Sequence, residues 1–138
     1  MQIGFIGLGA VVETAYLPAL RRLGDVIDRC QGYDLDCSRA LPGIQRCSSL
    51  SALLAEPLDT LFITTSSLQH LPVLERALAS GISRIVVEKP IVANLEQAAR
   101  LRALLAPTEQ AARVLALDHW MARGVALNAP GPQWRAEG

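Results

Sequence analysis

Residues 3–20, IGFIGLGAVVETAYLPAL, decide the fold, because an apolar strand (Ile3 to Ile6) runs into Gly7-Leu8-Gly9 and then into a helical pattern. A strand, a glycine turn and a helix in that order open a dinucleotide-binding βαβ unit. Gly7 permits the tight bend, and Gly9 lacks the Cβ that would hold a pyrophosphate off the backbone. The helix beyond offers unpaired N–H groups and the positive end of its dipole to the phosphates. Val12 occupies the third glycine position, so the turn by itself also fits a tight strand-to-helix bend that binds nothing.

Such a unit places an acid at the end of its second strand, about 20 residues on, to accept hydrogen bonds from the adenosine ribose. Asp34 closes the segment Val26 to Tyr33, a strand pattern interrupted by Arg29, Gln31 and Gly32. Its carboxylate would repel a 2′-phosphate, which favours NAD over NADP. The alternative is a solvated loop aspartate followed by Asp36 and Arg39.

Within the first helix, Pro18 has no amide to bond back to residue 14 and disfavours helical geometry at Leu17, so a kink or break is expected. After Asp34, Pro42-Gly43 marks a turn before a short third strand, and Ser49 or Ser51 can cap a helix over residues 52–55 that Pro57 stops. Leu58 to Thr65 reads as a strand buried on both faces of a parallel sheet. It delivers Thr64, Thr65, Ser66 and Ser67 to the edge where doubly wound folds bind ligands, with helix capping by Ser67 as a compatible role. A helix follows over Leu71 to Ser80, closed by Gly81 as a left-handed cap.

Ile82 to Val87 is the next buried strand, and it ends in Glu88-Lys89-Pro90. A lysine at that edge can polarise a carbonyl or hydroxyl, while a solvated Glu–Lys ion pair is the plainer reading. Asn94 and Gln97 form a capping box for a helix that ends before Pro107. Arg113 to Leu117 is a final short strand that brings Asp118, His119 and Trp120 to the edge carrying Lys89, with His119 either a catalytic group or a loop histidine. The expected organisation is one domain over residues 1–123 and a loose tail over 124–138, rich in Pro and Gly and without periodicity.

Composition agrees with an α/β domain, since 138 residues with 51% hydrophobic and 19% charged exclude a disordered chain. Thirteen Lys plus Arg against 13 Asp plus Glu give no electrostatic case for nucleic acid or an anionic membrane. No apolar run approaches the ~18 residues of a membrane span, and Met1 leads straight into a strand. The cytoplasm is therefore expected, with small molecules or proteins as partners. Cys30, Cys37 and Cys47 lack metal-ligand spacing and read as bystander thiols, so no metal is expected.

Together these residues resemble the N-terminal half of the Gfo/Idh/MocA oxidoreductases. The resemblance runs from residue 1 to about 123 and rests on the glycine turn, Tyr16-Leu17-Pro18-Ala19-Leu20, Asp34-Leu35-Asp36, the stretch Thr65 to His70, and above all Glu88-Lys89-Pro90. Leu117 to Trp120 is similar to a variant in some branches of that family. The resemblance implies a doubly wound, mainly parallel α/β sheet of the Rossmann type. It also implies that Leu8, Gly9, Ala10, Val11, Asp34, Thr65, Ser66, His70 and Glu88 line the cofactor beside Gly7, with Lys89 near the nicotinamide and the substrate oxygen. This sequence departs from the family in Val12, in Ser66-Ser67 where prolines are usual, and in stopping where a substrate domain would begin.

The implied activity is hydride transfer between NAD, less readily NADP, and a sugar, polyol or related hydroxyl compound. Two alternatives stand beside it: a non-catalytic NAD-binding module or partner subunit, and an NAD-dependent glycosidase or lyase. An uncovered last strand also points to self-association or a partner protein.

Overall fold

Runs of aliphatic residues too short for helices pair side by side into one sheet. In the computed structural model, which describes residues 1–117, the strands are β1 (Gln2–Ile6), β2 (Arg29–Tyr33), β3 (Gln45–Arg46), β4 (Thr60–Ile63), β5 (Ile85–Glu88) and β6 (Val114–Leu117). Their order across the sheet is β3-β2-β1-β4-β5-β6, and every pairing is parallel. The doubly wound expectation holds, and the sheet is wholly rather than mainly parallel. The order reverses between β1 and β4, and ligands of such sheets bind outside the carboxyl ends of the strands at that point.

Alternation along β1 and β4 divides the core between two faces. Ile3 and Phe5 join Leu8, Val12, Tyr16 and Leu17 on one face, where Phe62 stacks on Phe5 at 5.1 Å and Tyr16 tilts against Phe62 at 4.9 Å. Ile6, Leu61 and Ile63 join Leu53, Leu74, Ala77 and Val87 on the other. The first face is covered by α1, residues 10–21. The second is covered by α2 (Leu50–Leu54) and α3 (Ser67–Ala79), with α4 (Leu95–Leu104) beside α3, and the short α5 (Thr108–Ala111) precedes β6.

Several boundaries differ from expectation, each for a local reason. Pro18 does not break α1. Instead the helix widens over Val12–Tyr16, where the Leu17 amide reaches back five residues to the Val12 carbonyl and Leu17 keeps helical angles. A wider turn gives the proline ring room without ending the helix. β2 begins at Arg29 rather than Val26, because Gly24–Val26 forms a tight helical turn.

The helix expected at Leu71 starts four residues earlier, at Ser67, so Pro72 lies inside it. The Leu68 carbonyl, which loses its helical donor at Pro72, accepts from the Gln97 side chain at 3.4 Å. Ser66 rather than Ser67 is the N-cap, and its side chain makes no capping bond. Ser49 caps α2 by accepting from the Ala52 amide at 3.0 Å. Asn94 accepts from the Gln97 amide at 2.8 Å, while Gln97 reaches back to the amide of Ala93, one residue beyond the usual partner. Gly81 closes α3 at φ +83°.

Candidate functional site

At the carboxyl end of β1 the chain turns at Gly7, whose φ of +94° suits glycine. Its amide donates to the Tyr33 carbonyl at 2.8 Å, and the Thr64 hydroxyl donates to the Gly7 carbonyl at 2.7 Å. A Cβ on Gly7 would lie 2.7 Å from the Thr64 carbonyl oxygen, so the backbone just beyond β4 forbids a side chain there. Gly9 is the opposite case, because a Cβ there would meet nothing within 4 Å. Ala10 and Val11 follow as the first turn of α1, where helix geometry leaves amides without partners inside the helix. Val12, in the third glycine position, is fully buried against the sheet.

Asp34 stands just beyond β2, half-buried, with both carboxylate oxygens engaged. One accepts from the Leu8 amide at 2.6 Å and the other from the Asp36 amide at 2.9 Å. Each oxygen keeps a further lone pair for a ligand hydroxyl. Arg46 of β3 anchors this segment by donating to the Asp34 and Arg39 carbonyls, both at 2.7 Å. Asp36 accepts from the amide and hydroxyl of Ser38, which together hold its carboxyl below the usual range, with a smaller contribution from Arg39.

These groups open onto a cleft of about 510 Å³. Gly7 and Gly9 form its floor, Asp34 to Asp36 and Arg39 one side, and Thr64, Thr65 and Ser66 the other. Gln69, Pro72, Val73 and Arg76 of α3 complete the wall. A second hollow of about 340 Å³ lies between α1 and β2, lined by residues such as Leu17, Arg21 and Cys30, and it holds none of the sequence-derived site residues. Among the described residues no three His, Cys, Asp or Glu gather as metal ligands. The Cys30 and Cys47 thiols are pushed up by burial.

Other expected residues sit behind the cleft rather than on it. The Leu8 side chain is buried against Gly32, and only its backbone serves Asp34. His70 is 2% exposed, with Nδ1 2.8 Å from the Pro90 carbonyl and Nε2 2.9 Å from the Thr65 carbonyl. Glu88 is also buried and accepts from the Tyr16 hydroxyl at 2.5 Å. Burial first, and Glu88 second, push the Tyr16 phenol far above its ordinary range. Lys89 is exposed at the end of β5, and the Lys89–Pro90 peptide is cis. His119, with Asp118 and Trp120, lies outside the described residues.

Sequence reasoning missed the α3 wall, although residues 69, 72, 73 and 76 carry the spacing of one helix face. The signal was there, but starting the helix at Leu71 hid it. Arg46 and Tyr16 left no comparable mark, because their partners are distant in sequence.

A model of an oxidoreductase family with an NAD-binding Rossmann fold matches residues 1–116. The chain is 30% identical over 104 residues to YceM of Salmonella typhimurium, named as an oxidoreductase, across 73% of this chain and 34% of that protein. UDP-N-acetylglucosamine 3-dehydrogenase GnnA of Acidithiobacillus ferrooxidans superposes with a TM-score of 0.70 at 26% identity, over 93% of this chain and 41% of the other. The WlbA dehydrogenase of Chromobacterium violaceum, solved with NADH and UDP-GlcNAcA, shares the fold at a TM-score of 0.77 and 19% identity, over 93% of this chain and 37% of its own. The chain thus spans about a third of the length of the curated relative it matches.

Proposed function

The chain belongs to the Gfo/Idh/MocA family of oxidoreductases with an NAD-binding Rossmann fold, and from that premise we propose that it is the nucleotide-binding part of an oxidoreductase that prefers NAD to NADP and acts on a sugar, polyol or related hydroxyl compound. The observation that carries this reading is the open ground at Gly9 beside Asp34, where a phosphate can approach the backbone and a ribose can reach a carboxylate within one cleft. A bound nicotinamide dinucleotide would supply the hydride donor or acceptor.

The chain's own residues do the rest. The amides at the start of α1 bind the pyrophosphate. Asp34 accepts from ribose hydroxyls and repels a 2′-phosphate at the same position. Thr65 and Ser66 offer hydroxyls along the opposite wall. Lys89, exposed at the carboxyl end of β5, holds or moves the proton of the substrate hydroxyl. Support for a sugar-like substrate comes from the likeness to GnnA.

Titration calorimetry tests the cofactor reading. NAD should bind more tightly than NADP, and Asp34→Ala should weaken NAD by about tenfold, the loss of one hydrogen bond to a charged group, while narrowing the preference. Equal affinity of the wild type for NAD and NADP would refute the role of Asp34. Turnover on a panel of polyols and nucleotide sugars tests the reaction. Binding without turnover would favour a non-catalytic NAD module, and release of an unreduced sugar from a glycoside would favour a redox-assisted glycosidase or lyase.

A further inference from the structure

We propose that Tyr16 is a positioning residue whose hydroxyl holds Glu88, and through Glu88 the backbone entering Lys89, at a fixed distance from the helix proposed to take the pyrophosphate. The inference rests on the cofactor reading above for its consequence, though not for its geometry. Three neighbouring strands lie under one side chain. The Tyr16 ring tilts against Phe5 of β1 at 6.2 Å and against Phe62 of β4 at 4.9 Å, and its hydroxyl donates to Glu88 of β5 at 2.5 Å. Since β1, β4 and β5 are adjacent in the sheet, the phenol reaches from the first of them to the third and joins residues 72 apart in the chain.

The packing of the ring does not need the hydroxyl, because phenylalanine would fill the same space against Phe5 and Phe62. What the oxygen adds is a bond at the short end of O–H···O separations. Tyr16 and Glu88 are each 7% exposed, so water competes poorly for that bond. Glu88 also accepts from the Lys89 amide at 3.3 Å. Its carboxyl group thus meets α1 through one oxygen and the main chain of the next residue through the other. The backbone is pinned where β5 ends and the exposed Lys89 begins.

The other end of the tie is fixed as well. Tyr16 closes the widened turn Val12–Tyr16, and Val12, Tyr16 and Leu17 are all buried on one face of the sheet. Ala10 and Val11, whose amides are proposed to meet the pyrophosphate, open the same helix. A dinucleotide crossing the switch point runs from Asp34 on the β2 side, past that helix start, toward the ends of β4 and β5. Its nicotinamide half reaches Lys89 only where the spacing from α1 to β5 matches its length. Without the hydroxyl the pyrophosphate keeps its seat, and the far end loses its reference.

Two measurements on the full chain decide the matter. NADH and ADP-ribose share the adenosine and the pyrophosphate, whereas only NADH carries the nicotinamide. Tyr16→Phe should weaken NADH by about tenfold, the equivalent of one hydrogen bond lost at its nicotinamide half, and leave ADP-ribose within about twofold. A merely structural role would move both ligands together or neither, and either result would overturn the proposal. Nitrogen-15 relaxation of the ligand-free chain gives the second reading. In the wild type the amides of Glu88 and Lys89 should have order parameters of about 0.85, and in Tyr16→Phe they should fall toward about 0.6 while Phe5 and Phe62 stay rigid. Unchanged values at Glu88 and Lys89 would also overturn it. Should Tyr16→Phe fail to fold, Glu88→Ala breaks the same bond from the other side, and the order at Lys89 decides in the same way. Wild type that binds neither ligand would defeat the cofactor reading, whereas the relaxation result judges the tie independently.

Discussion

Gly7 and Gly9 are two residues apart and should fail in opposite ways when each is changed to alanine. At Gly7 the methyl would stand 2.7 Å from the Thr64 carbonyl oxygen, 2.8 Å from its carbon and 2.9 Å from the Thr65 nitrogen, all backbone atoms just beyond β4. The φ of +94° adds a left-handed penalty of about 1–2 kcal/mol. Forcing the strands apart adds about 1–3 kcal/mol. Gly7→Ala should therefore lose roughly 2–5 kcal/mol, a large share of the ~5–15 kcal/mol that holds a domain.

Gly9→Ala meets no protein atom within 4 Å and should leave stability unchanged or raise it by about 0.4–1 kcal/mol. Its methyl occupies the ground a phosphate needs, so losing one hydrogen bond to a charged group, about 1.5–3 kcal/mol, should weaken NADH by at least tenfold. Thermal melts followed by circular dichroism give the first quantity and NADH fluorescence titration the second. If Gly9→Ala melts as early as Gly7→Ala, or binds NADH like the wild type, the assignment of the open ground at Gly9 is wrong.

Three other expectations can be checked together. Tyr16→Phe removes the donor to a buried carboxylate and should cost about 1.5–3 kcal/mol by chemical denaturation. The folded phenol keeps its proton while an unfolded tyrosine ionises near ~10, so the native state binds more protons above that pH and stability falls as pH rises there. Tyr16→Phe should flatten this alkaline slope, and an unchanged slope would count against the buried phenol. Lys89→Ala, on an exposed side chain, should leave the melting temperature nearly unchanged, since surface pairs contribute ~0–1 kcal/mol, and should abolish turnover. Leu115 of β6 is 58% exposed on an edge strand, so light scattering should find species larger than the monomer, and a monodisperse monomer at high concentration would refute this.

Where one physical demand governs a residue, the sequence shows it. The strands β1, β4 and β5 stand out because burial on both faces leaves aliphatic side chains in nearly every position. The turn at Gly7 stands out because few residues tolerate its angle. β2 is blurred by Gln31 and Gly32, and Gly32 is there because Leu8 and Ile44 fill the space its Cβ would take, each approaching to 2.8 Å. The start of α3 was hidden by Thr65-Ser66-Ser67, which reads as loop, and by Pro72, which a long-range bond from Gln97 accommodates. The resemblance singled out His70 as lining the cofactor, whereas its burial between two carbonyls behind the cleft depends on Pro90, 20 residues away in the chain. Arg46 was invisible for the same reason, since it serves carbonyl groups rather than a charge pattern.

On the proposed cofactor reading, Arg46 also ties the lifetime of a bound adenosine to the shortest strand of the sheet. β3 is two residues long and lies at the edge, paired with β2 alone. Short edge strands open more often than central ones, long before the domain unfolds. Each such opening withdraws the guanidinium from the Asp34 and Arg39 carbonyls at once and lets the segment proposed to bind ribose relax. If the dinucleotide binds as proposed, the fraying frequency of this strand becomes a clock for its exchange, adjustable at β3 without altering Asp34 or the glycine turn.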